Sequence, residues 1–232
     1  QMTQVEKNSI KPGDITKYYI GSILSGGGGS PSSNTVEAWY EMVEGYQEEA
    51  LKTRLAIPII YGVDAVHGHG NLLNATIFPH NIGLGATNNP ELVEKIGRAT
   101  AEEILATGIH WNFSPVVAVV QDVRWGRTYE GFGEDTELVT ALGTAYVSGM
   151  QTLEEGESVS PSQTILTLAT PKHYLGDGAT IWGSSLQNIM NTKYMLDQGN
   201  MQIPEETIRE LYLPPYASTI DAGALSVMAS FS

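Results

Sequence analysis

Polar and charged side chains follow two apolar runs of this sequence, at the positions where β-strands would end. Asp64 comes directly after residues 57–63 (IPIIYGV), and Lys172 and His173 lie near the end of residues 166–174 (LTLATPKHY). A carboxylate accepts hydrogen bonds from adjacent hydroxyl groups, and ammonium and imidazole groups donate to others. Residues of these types suit a site for a ligand rich in hydroxyl groups, such as a sugar.

Each of these residues also has a structural interpretation that the pattern leaves open. Asp64 could cap the turn after its strand, and Lys172 and His173 could be a surface lysine beside a core histidine. Adjacent side chains of a strand point to opposite faces, so both reach a ligand only if the chain leaves the strand there. The glycines on either side of Asp177 favour such a departure.

Two histidines in the segment His67-Gly68-His69 match a metal-ligand pattern found in some hydrolase barrels. Two ligands do not complete a site, and the other three histidines lie on distant segments. The chain has no cysteine to add a sulfur ligand. We therefore expect no metal and no other cofactor. We interpret His67 and His69 as loop-packing residues, with His69 expected at the entrance of the site.

Strand-like and helix-like segments alternate along most of the chain, which indicates a parallel α/β architecture. Strands are predicted at 18–24, at 57–63, within 109–120, at 166–174 and at 225–231. Helices are predicted at 35–53, from the cap Asn89 and Pro90 to Gly108, at 135–150, and at 204–221 with a break at Pro214 and Pro215. Because a (β/α)8 barrel typically has about 250 residues, five visible strands predict an incomplete barrel.

The composition limits the classes of partner. The chain has 26 acidic and 12 basic residues, a net charge of −14, which disfavours nucleic acid and anionic membrane surfaces. No apolar run reaches the 18 or more residues that a membrane span needs. Two low-complexity stretches, 25–31 (SGGGGSP) and 154–163, are interpreted as loops without a chemical role. A neutral sugar fits this composition.

Three segments in order carry a resemblance to a known family: 62–87 (GVDAVHGHGNLLNATIFPHNIGLGAT), 122–135 (DVRWGRTYEGFGED) and 170–180 (TPKHYLGDGAT). They resemble the N-terminal barrel domain of the glycoside hydrolase family 3 β-glucosidases and exo-glucanases, from about Gly21 to the last residue. The resemblance implies a TIM-type (β/α)8 barrel. Residues 1–232 would form part of it, trimmed at the N-terminus and incomplete at the C-terminal end, with a second domain outside this chain.

The resemblance also implies roles for individual residues. Asp64 would hold distal hydroxyls of a terminal glucose, Lys172 and His173 would bind sugar hydroxyls, and Arg127 would reach the sugar. Supporting positions are His69, Arg124, Glu130 and Asp177, with Arg124 expected to be buried beside a carboxylate such as Asp122 or Glu130. Relatives that cleave N-acetylglucosaminides carry a histidine where this chain has Asp177, which argues against that subgroup.

By the same resemblance, we expect an exo-acting, retaining β-glucosidase or β-glucan glucohydrolase that is periplasmic or secreted. Its nucleophile would lie just beyond Ser232 and its acid/base in the second domain, so these residues alone would be inactive. The partner would be a β-glucoside or β-glucan oligosaccharide. The alternatives are a β-xylosidase or other exo-glycosidase of the family, and a carbohydrate-binding fragment without activity.

Overall fold

The computed structural model describes residues 3–153, 164–186, 188–189 and 192–232. The predicted loop at 154–163 lies outside them. The strands are β1 (Gln4–Glu6), β2 (Ser22–Ser25), β3 (Ile60–Val63), β4 (Trp111–Asn112), β5 (Lys172–Tyr174), β6 (Asn188–Ile189), β7 (Thr192–Lys193) and β8 (Met228–Ala229). The α-helices are α1 (Asp14–Tyr18), α2 (Val36–Leu51), α3 (Asn81–Gly85), α4 (Pro90–Ala106), α5 (Thr136–Gln151), α6 (Glu205–Thr207) and α7 (Pro214–Asp221).

The sheet is parallel and follows the order of the chain. Strands β1 to β4 pair in sequence, with Gly62 of β3 opposite Trp111 of β4. Trp111 then bridges to Leu168, and β5 pairs with β8, again in parallel. Within the described residues β1 and β8 do not pair with each other. The architecture is therefore a TIM-type α/β barrel whose sheet is open between β1 and β8. Strands β6 and β7 form a separate antiparallel hairpin.

The three long helices begin where the sequence predicts, and each has a side-chain cap at its start. The side chains of Thr35, Asn89 and Asp135 each accept a hydrogen bond from the backbone N–H three residues later, at the start of α2, α4 and α5. Gly108, which follows α4, has a φ of 76°. The predicted break before α7 is also confirmed, because a π-helical turn at Ile208–Tyr212 precedes Pro214.

The prediction of the first strand at 18–24 is wrong at its start. Tyr18 ends α1, and the next residue, Tyr19, has the left-handed φ of 53°. The reason is a tertiary contact: the Glu49 side chain accepts hydrogen bonds from the backbone N–H groups of Ile15 and Thr16. This cap stabilises α1 against the strand preference of the two tyrosines.

The other strands are shorter than predicted, at two to four residues. Pro115 and Pro171 interrupt the ladders at 109–120 and 166–174, because proline has no N–H to donate. Short strands leave the polar segments after them free to form loops at the carboxyl edge of the sheet.

Helices cover the outer face of the sheet and bury a common core that includes Trp39, Ile104, Leu142, Tyr146 and Phe132. Helices α4 and α5 approach closely at Gly149, where an added Cβ would lie 2.0 Å from the Glu94 carbonyl oxygen. Among the described residues, no helix combines the length and apolar character that crossing a membrane requires.

Candidate functional site

A cavity of about 400 Å³ lies at the carboxyl edge of the sheet, and we name it the barrel cavity. All four predicted substrate-binding residues line it: Asp64, Arg127, Lys172 and His173. Its inner wall includes Trp111 and Phe113, whose rings meet edge to face. A tryptophan in such an apolar run is ordinarily expected in the core, and the structure places Trp111 in this wall instead.

Lys172 and Asp64 form an ion pair across the cavity. The Lys172 Nζ atom donates to Oδ1 of Asp64 over 2.6 Å. The lysine side chain is only 3% exposed, whereas the aspartate is 33% exposed. The ammonium group of Lys172 is thus held in position by the protein, whereas the carboxylate of Asp64 remains accessible to a ligand. The second oxygen of Asp64 has no hydrogen-bond partner among the described residues.

Lys172 and His173 are neighbours in β5, yet both side chains reach the cavity. The pairing of β5 with β8 shifts its register between Lys172 and Tyr174. Such an irregularity re-aims side chains that a regular strand would send to opposite faces. The departure from the strand that the sequence suggested therefore occurs at these two residues.

Arg127 is held in a fixed orientation by Glu130. Its Nε and Nη2 atoms donate to the two carboxylate oxygens of Glu130 over 2.8 and 2.7 Å. Burial alone would lower the pKa of Arg127, but the carboxylates of Glu130, Asp177 and Asp197 together outweigh burial and raise it. Nη2 also lies 3.3 Å from Nε2 of His173. Nη1 has no hydrogen-bond partner within the described residues and is available to a ligand.

Asp177 lies beneath His173 and is 5% exposed. Its Oδ2 atom lies 2.5 Å from Nδ1 of His173, and its Oδ1 atom accepts a hydrogen bond from Ser230 over 2.7 Å. Burial would raise the pKa of Asp177, but its contacts with His173, Ser230 and Arg127 outweigh burial and lower it. The supporting residues Glu130 and Asp177 thus both contact a predicted binding residue.

A second cavity of about 300 Å³ adjoins the first and shares Asp64 and Arg127 with it; we name it the histidine cavity. The rings of His67 and His80 are in contact in its wall, with centroids 3.9 Å apart and planes tilted by 32°, and Tyr129 meets His80 edge to face. Burial and the proximity of His67 lower the pKa of His80.

The histidine cavity is not apparent from the sequence. The glycine-rich segment 25–31 is predicted to have no role, yet Gly27 lines this cavity and Gly26 lines the barrel cavity. The position in the chain could have indicated this role, because residues 26–31 directly follow β2 just as Asp64 directly follows β3.

The expectation that His69 lines the entrance of the site is wrong. His69 is completely buried, packs edge to face on Trp39, and contacts the Thr107 hydroxyl through Nε2. Gly68, with a φ of 96°, turns the chain between His67 and His69. The two histidines therefore face different environments, and His67 is the one that lines a cavity. Burial lowers the pKa of His69 to about 4.

The expectation that Arg124 is buried is also wrong. Its side chain is 58% exposed, binds both oxygens of Asp122, and lies over the ring of Trp182 at 4.3 Å. Of the two carboxylates named as examples in the sequence analysis, Asp122 is the one that Arg124 contacts. Arg124 is thus more exposed than Arg127, whose side chain is 28% exposed. Trp125 lies between the two arginines in the chain, is buried, and donates a hydrogen bond to Asp197.

The described residues contain no group of three or more histidine, aspartate or glutamate side chains placed to hold a metal ion. The side chains around the barrel cavity instead form pairs of opposite or complementary character: Asp64 with Lys172, Glu130 with Arg127, and Asp177 with His173. Such a set can bind hydroxyl groups as both donor and acceptor.

Fold and site together define a TIM-type barrel domain with a polar site at the carboxyl ends of its strands, the position that catalytic sites occupy in this architecture. The family model "Glycosyl hydrolase family 3 N terminal domain" matches residues 1–232. The chain belongs to glycoside hydrolase family 3.

Curated relatives agree with this assignment. The chain is 34% identical to a lysosomal beta glucosidase of Dictyostelium discoideum, over 98% of this chain and 28% of that protein. It is 32% identical to a periplasmic beta-glucosidase of Salmonella typhimurium, over 78% of this chain and 20% of that protein. The chain thus spans less than a third of the length of these relatives.

Solved structures agree as well. An exo-1,3/1,4-beta-glucanase from a Pseudoalteromonas species is 40% identical, with a TM-score of 0.85 over 100% of this chain and 28% of that chain. A beta-glucosidase from Listeria innocua, solved in complex with glucose, is 25% identical, with a TM-score of 0.71 over 99% of this chain and 30% of that chain.

Proposed function

We propose that this chain provides the glucose-binding subsite of an exo-acting, retaining β-glucosidase or β-glucan glucohydrolase. The observation that carries the proposal is the convergence of Asp64, Arg127, Lys172 and His173, from three separate segments, on one cavity. Charged groups held in a partly dry cavity form stronger hydrogen bonds to hydroxyls than neutral groups do. The names of the relatives, beta-glucosidases and an exo-beta-glucanase, support a terminal β-glucosyl residue as the ligand.

The carboxylates of the site suit binding rather than nucleophilic attack. A retaining glycosidase needs a nucleophile and an acid/base, with carboxyl groups about 5–5.5 Å apart. Asp64, Glu130 and Asp177 are each already paired with a basic side chain. We propose that these three position substrate, and that the nucleophile and acid/base come from other parts of the full-length protein.

We further propose that the protein acts outside the cytoplasm, in the periplasm or after secretion. The Salmonella typhimurium relative is named as periplasmic and the Dictyostelium discoideum relative as lysosomal, and both compartments lie outside the cytosol. Fractionation of the source cells with an antibody to the protein tests this, and a purely cytosolic signal would contradict it.

Hydrolysis of a panel of aryl β-glycosides by the full-length protein tests the main proposal. We expect the aryl β-glucoside to be the preferred substrate, with β-glucose as the first product anomer by NMR, because a retaining route preserves the anomeric configuration. Chelators should leave the rate unchanged. Faster turnover of the aryl β-xyloside would favour the β-xylosidase alternative, and glucose binding without turnover would favour a carbohydrate-binding protein.

A further inference from the structure

The imidazole ring of His173 lies between two side chains that approach its two nitrogens. On one side, Nη2 of Arg127 lies 3.3 Å from Nε2. On the other, Oδ2 of Asp177 lies 2.5 Å from Nδ1. Both Nδ1 and Oδ2 are buried, and their contact lacks the angle of a regular hydrogen bond, so neither atom has a hydrogen-bond partner among the described residues.

The contact with Arg127 determines which nitrogen carries the hydrogen. A guanidinium group only donates hydrogen bonds, so Nε2 must accept in this contact and carries no hydrogen. The hydrogen of the neutral ring is then on Nδ1. A bare lone pair on Nδ1 would lie only 2.5 Å from the carboxylate oxygen of Asp177, which is unfavourable. A doubly protonated ring would place Nε2–H against the N–H groups of Arg127, which is unfavourable.

Asp177 is itself fixed in place by the rest of the sheet. Ser230, next to β8, donates to its Oδ1 atom over 2.7 Å, and the side chain of Asp177 is 5% exposed. The backbone of Ser230 is bonded in turn to the carbonyl group of Tyr174, at the end of β5. The carboxylate that faces His173 therefore has little freedom to turn away.

We propose that Asp177 is a positioning residue that fixes His173 as the Nδ1–H tautomer, so that Nε2 acts as a hydrogen-bond acceptor at the barrel cavity, with Nη2 of Arg127 as its donor in this structure. This inference rests on the proposed sugar-binding function. The proposed tautomer gives the cavity one hydrogen-bond acceptor, Nε2 of His173, beside the donors of Lys172 and Arg127. A sugar hydroxyl can bind Nε2 of His173 only by donating its hydrogen in place of Nη2 of Arg127, whereas hydroxyls that reach Lys172 or Nη1 of Arg127 must accept a hydrogen bond.

The first test measures the tautomer directly in the unliganded, full-length protein. Histidine is isotopically labelled, and the chemical shifts of both ring nitrogens are assigned to His173 by comparison with His173→Gln. We expect a hydrogen-bearing Nδ1 and a hydrogen-free Nε2, and a shift of the equilibrium toward Nε2–H in Asp177→Ala. A wild-type ring with its hydrogen on Nε2, or a tautomer that Asp177→Ala leaves unchanged, would overturn the proposal.

The second test uses glucose analogues as competitive inhibitors of aryl β-glucoside hydrolysis. Fluorine can accept a hydrogen bond but cannot donate one. At the one ring position that meets His173, the deoxyfluoro and deoxy analogues should therefore bind equally poorly, each about 10-fold or more below glucose. In Asp177→Asn, whose amide can support either tautomer, this loss should shrink by several fold. A fluoro analogue that binds better than the deoxy analogue at every position would contradict the inference.

A matched control is available in Asp122→Asn. Asp122 also binds a basic side chain, Arg124, but lies outside both cavities. This variant should match the wild type in both tests. Absence of glucose inhibition in the wild type would contradict the proposed function alone, because the ring-nitrogen measurement requires no sugar. If Asp177→Ala does not fold, the wild-type tautomer and the Asp177→Asn analogue series still decide the question.

Discussion

The Nζ atom of Lys172 lies 2.6 Å from Oδ1 of Asp64, although 108 positions separate the two residues in the chain. The pair joins the residue after β3 to the first residue of β5, and β4 lies between these two strands in the chain order of the sheet. An ion pair across the mouth of a barrel therefore depends on the register of every strand between its members. A substitution at Asp64 or Lys172 therefore changes both ligand binding and the local structure around the ion pair.

Asp64→Ala should reduce kcat/KM on an aryl β-glucoside by about 100-fold or more. Two hydrogen bonds from sugar hydroxyls to a carboxylate contribute about 1.5–3 kcal/mol each. Asp122→Ala is the control, since Asp122 is bound to Arg124 outside the cavities. A change below about threefold for Asp64→Ala would rule out its binding role.

Arg127→Lys should reduce kcat/KM by about 10-fold or more, while Arg124→Lys should have little effect. A lysine at position 127 cannot reproduce the two parallel hydrogen bonds to Glu130 or the free Nη1 donor. Arg124 makes a comparable two-oxygen contact with Asp122, but it is exposed. Steady-state kinetics of both variants check this expectation, and equal effects would show that the two arginines do not differ in role.

Lys172 and His173 should act with Arg127 as one hydroxyl-binding unit. If all three contact the same sugar ring, the double variant Lys172→Ala/His173→Ala should be little worse than the poorer single variant. A double-mutant cycle on kcat/KM measures this coupling. Additive losses would show instead that the two residues act independently.

Gly149→Ala should destabilise the protein by about 2 kcal/mol or more, because an added methyl group would force α5 away from α4. An ideal Cβ at Gly149 lies 2.0 Å from a backbone oxygen of Glu94. Gly45→Ala, in the exposed face of α2, has no atom within 4 Å and should slightly stabilise the helix. Thermal unfolding of both variants provides the comparison, and similar melting temperatures would contradict it.

His69 should make the fold sensitive to mild acid. Its pKa in the folded chain is about 4, against an ordinary value of 6.5, so the unfolded chain binds the proton more readily. The contribution of neutral His69 to the free energy of unfolding is fully present above about pH 6.5. As the pH falls toward about 4 this contribution is lost, and the free energy of unfolding decreases by at most about 3 kcal/mol. His69→Gln should remove this part of the pH dependence, as measured by urea unfolding at several pH values. Parallel curves for wild type and variant would argue against it.

Much of the fold could be predicted from local signals. The caps at Thr35, Asn89 and Asp135 fix the starts of the long helices because they act through adjacent backbone groups. The start of α1 could not be predicted, because it depends on Glu49, more than 30 positions away. Strand lengths are overestimated from sequence, because apolar character extends beyond the few residues that form ladder hydrogen bonds.

The site was predictable to the extent that its residues follow strands. Asp64, Lys172 and His173 could be placed at strand ends, and the parallel order then brings them together. The contact between the rings of His67 and His80 was not predictable, because it depends on the path of the irregular chain between these two residues, which are 13 positions apart. For the same reason, His67 and His69 could not be told apart without the turn at Gly68.

The pairing of charges around the barrel cavity has a consequence for electrolyte conditions. The charges of Asp64 and Lys172 cancel each other, as do those of Glu130 and Arg127. The remaining carboxylate, that of Asp177, is shielded from solvent. A neutral glucoside should therefore bind with little dependence on ionic strength. A uronic acid approaches a chain of net charge −14 and finds no unpaired cation in this set of residues. We therefore expect the paired charges to favour an uncharged glucoside over the corresponding uronic acid. The difference in affinity should be largest at low salt, where the repulsion is least screened.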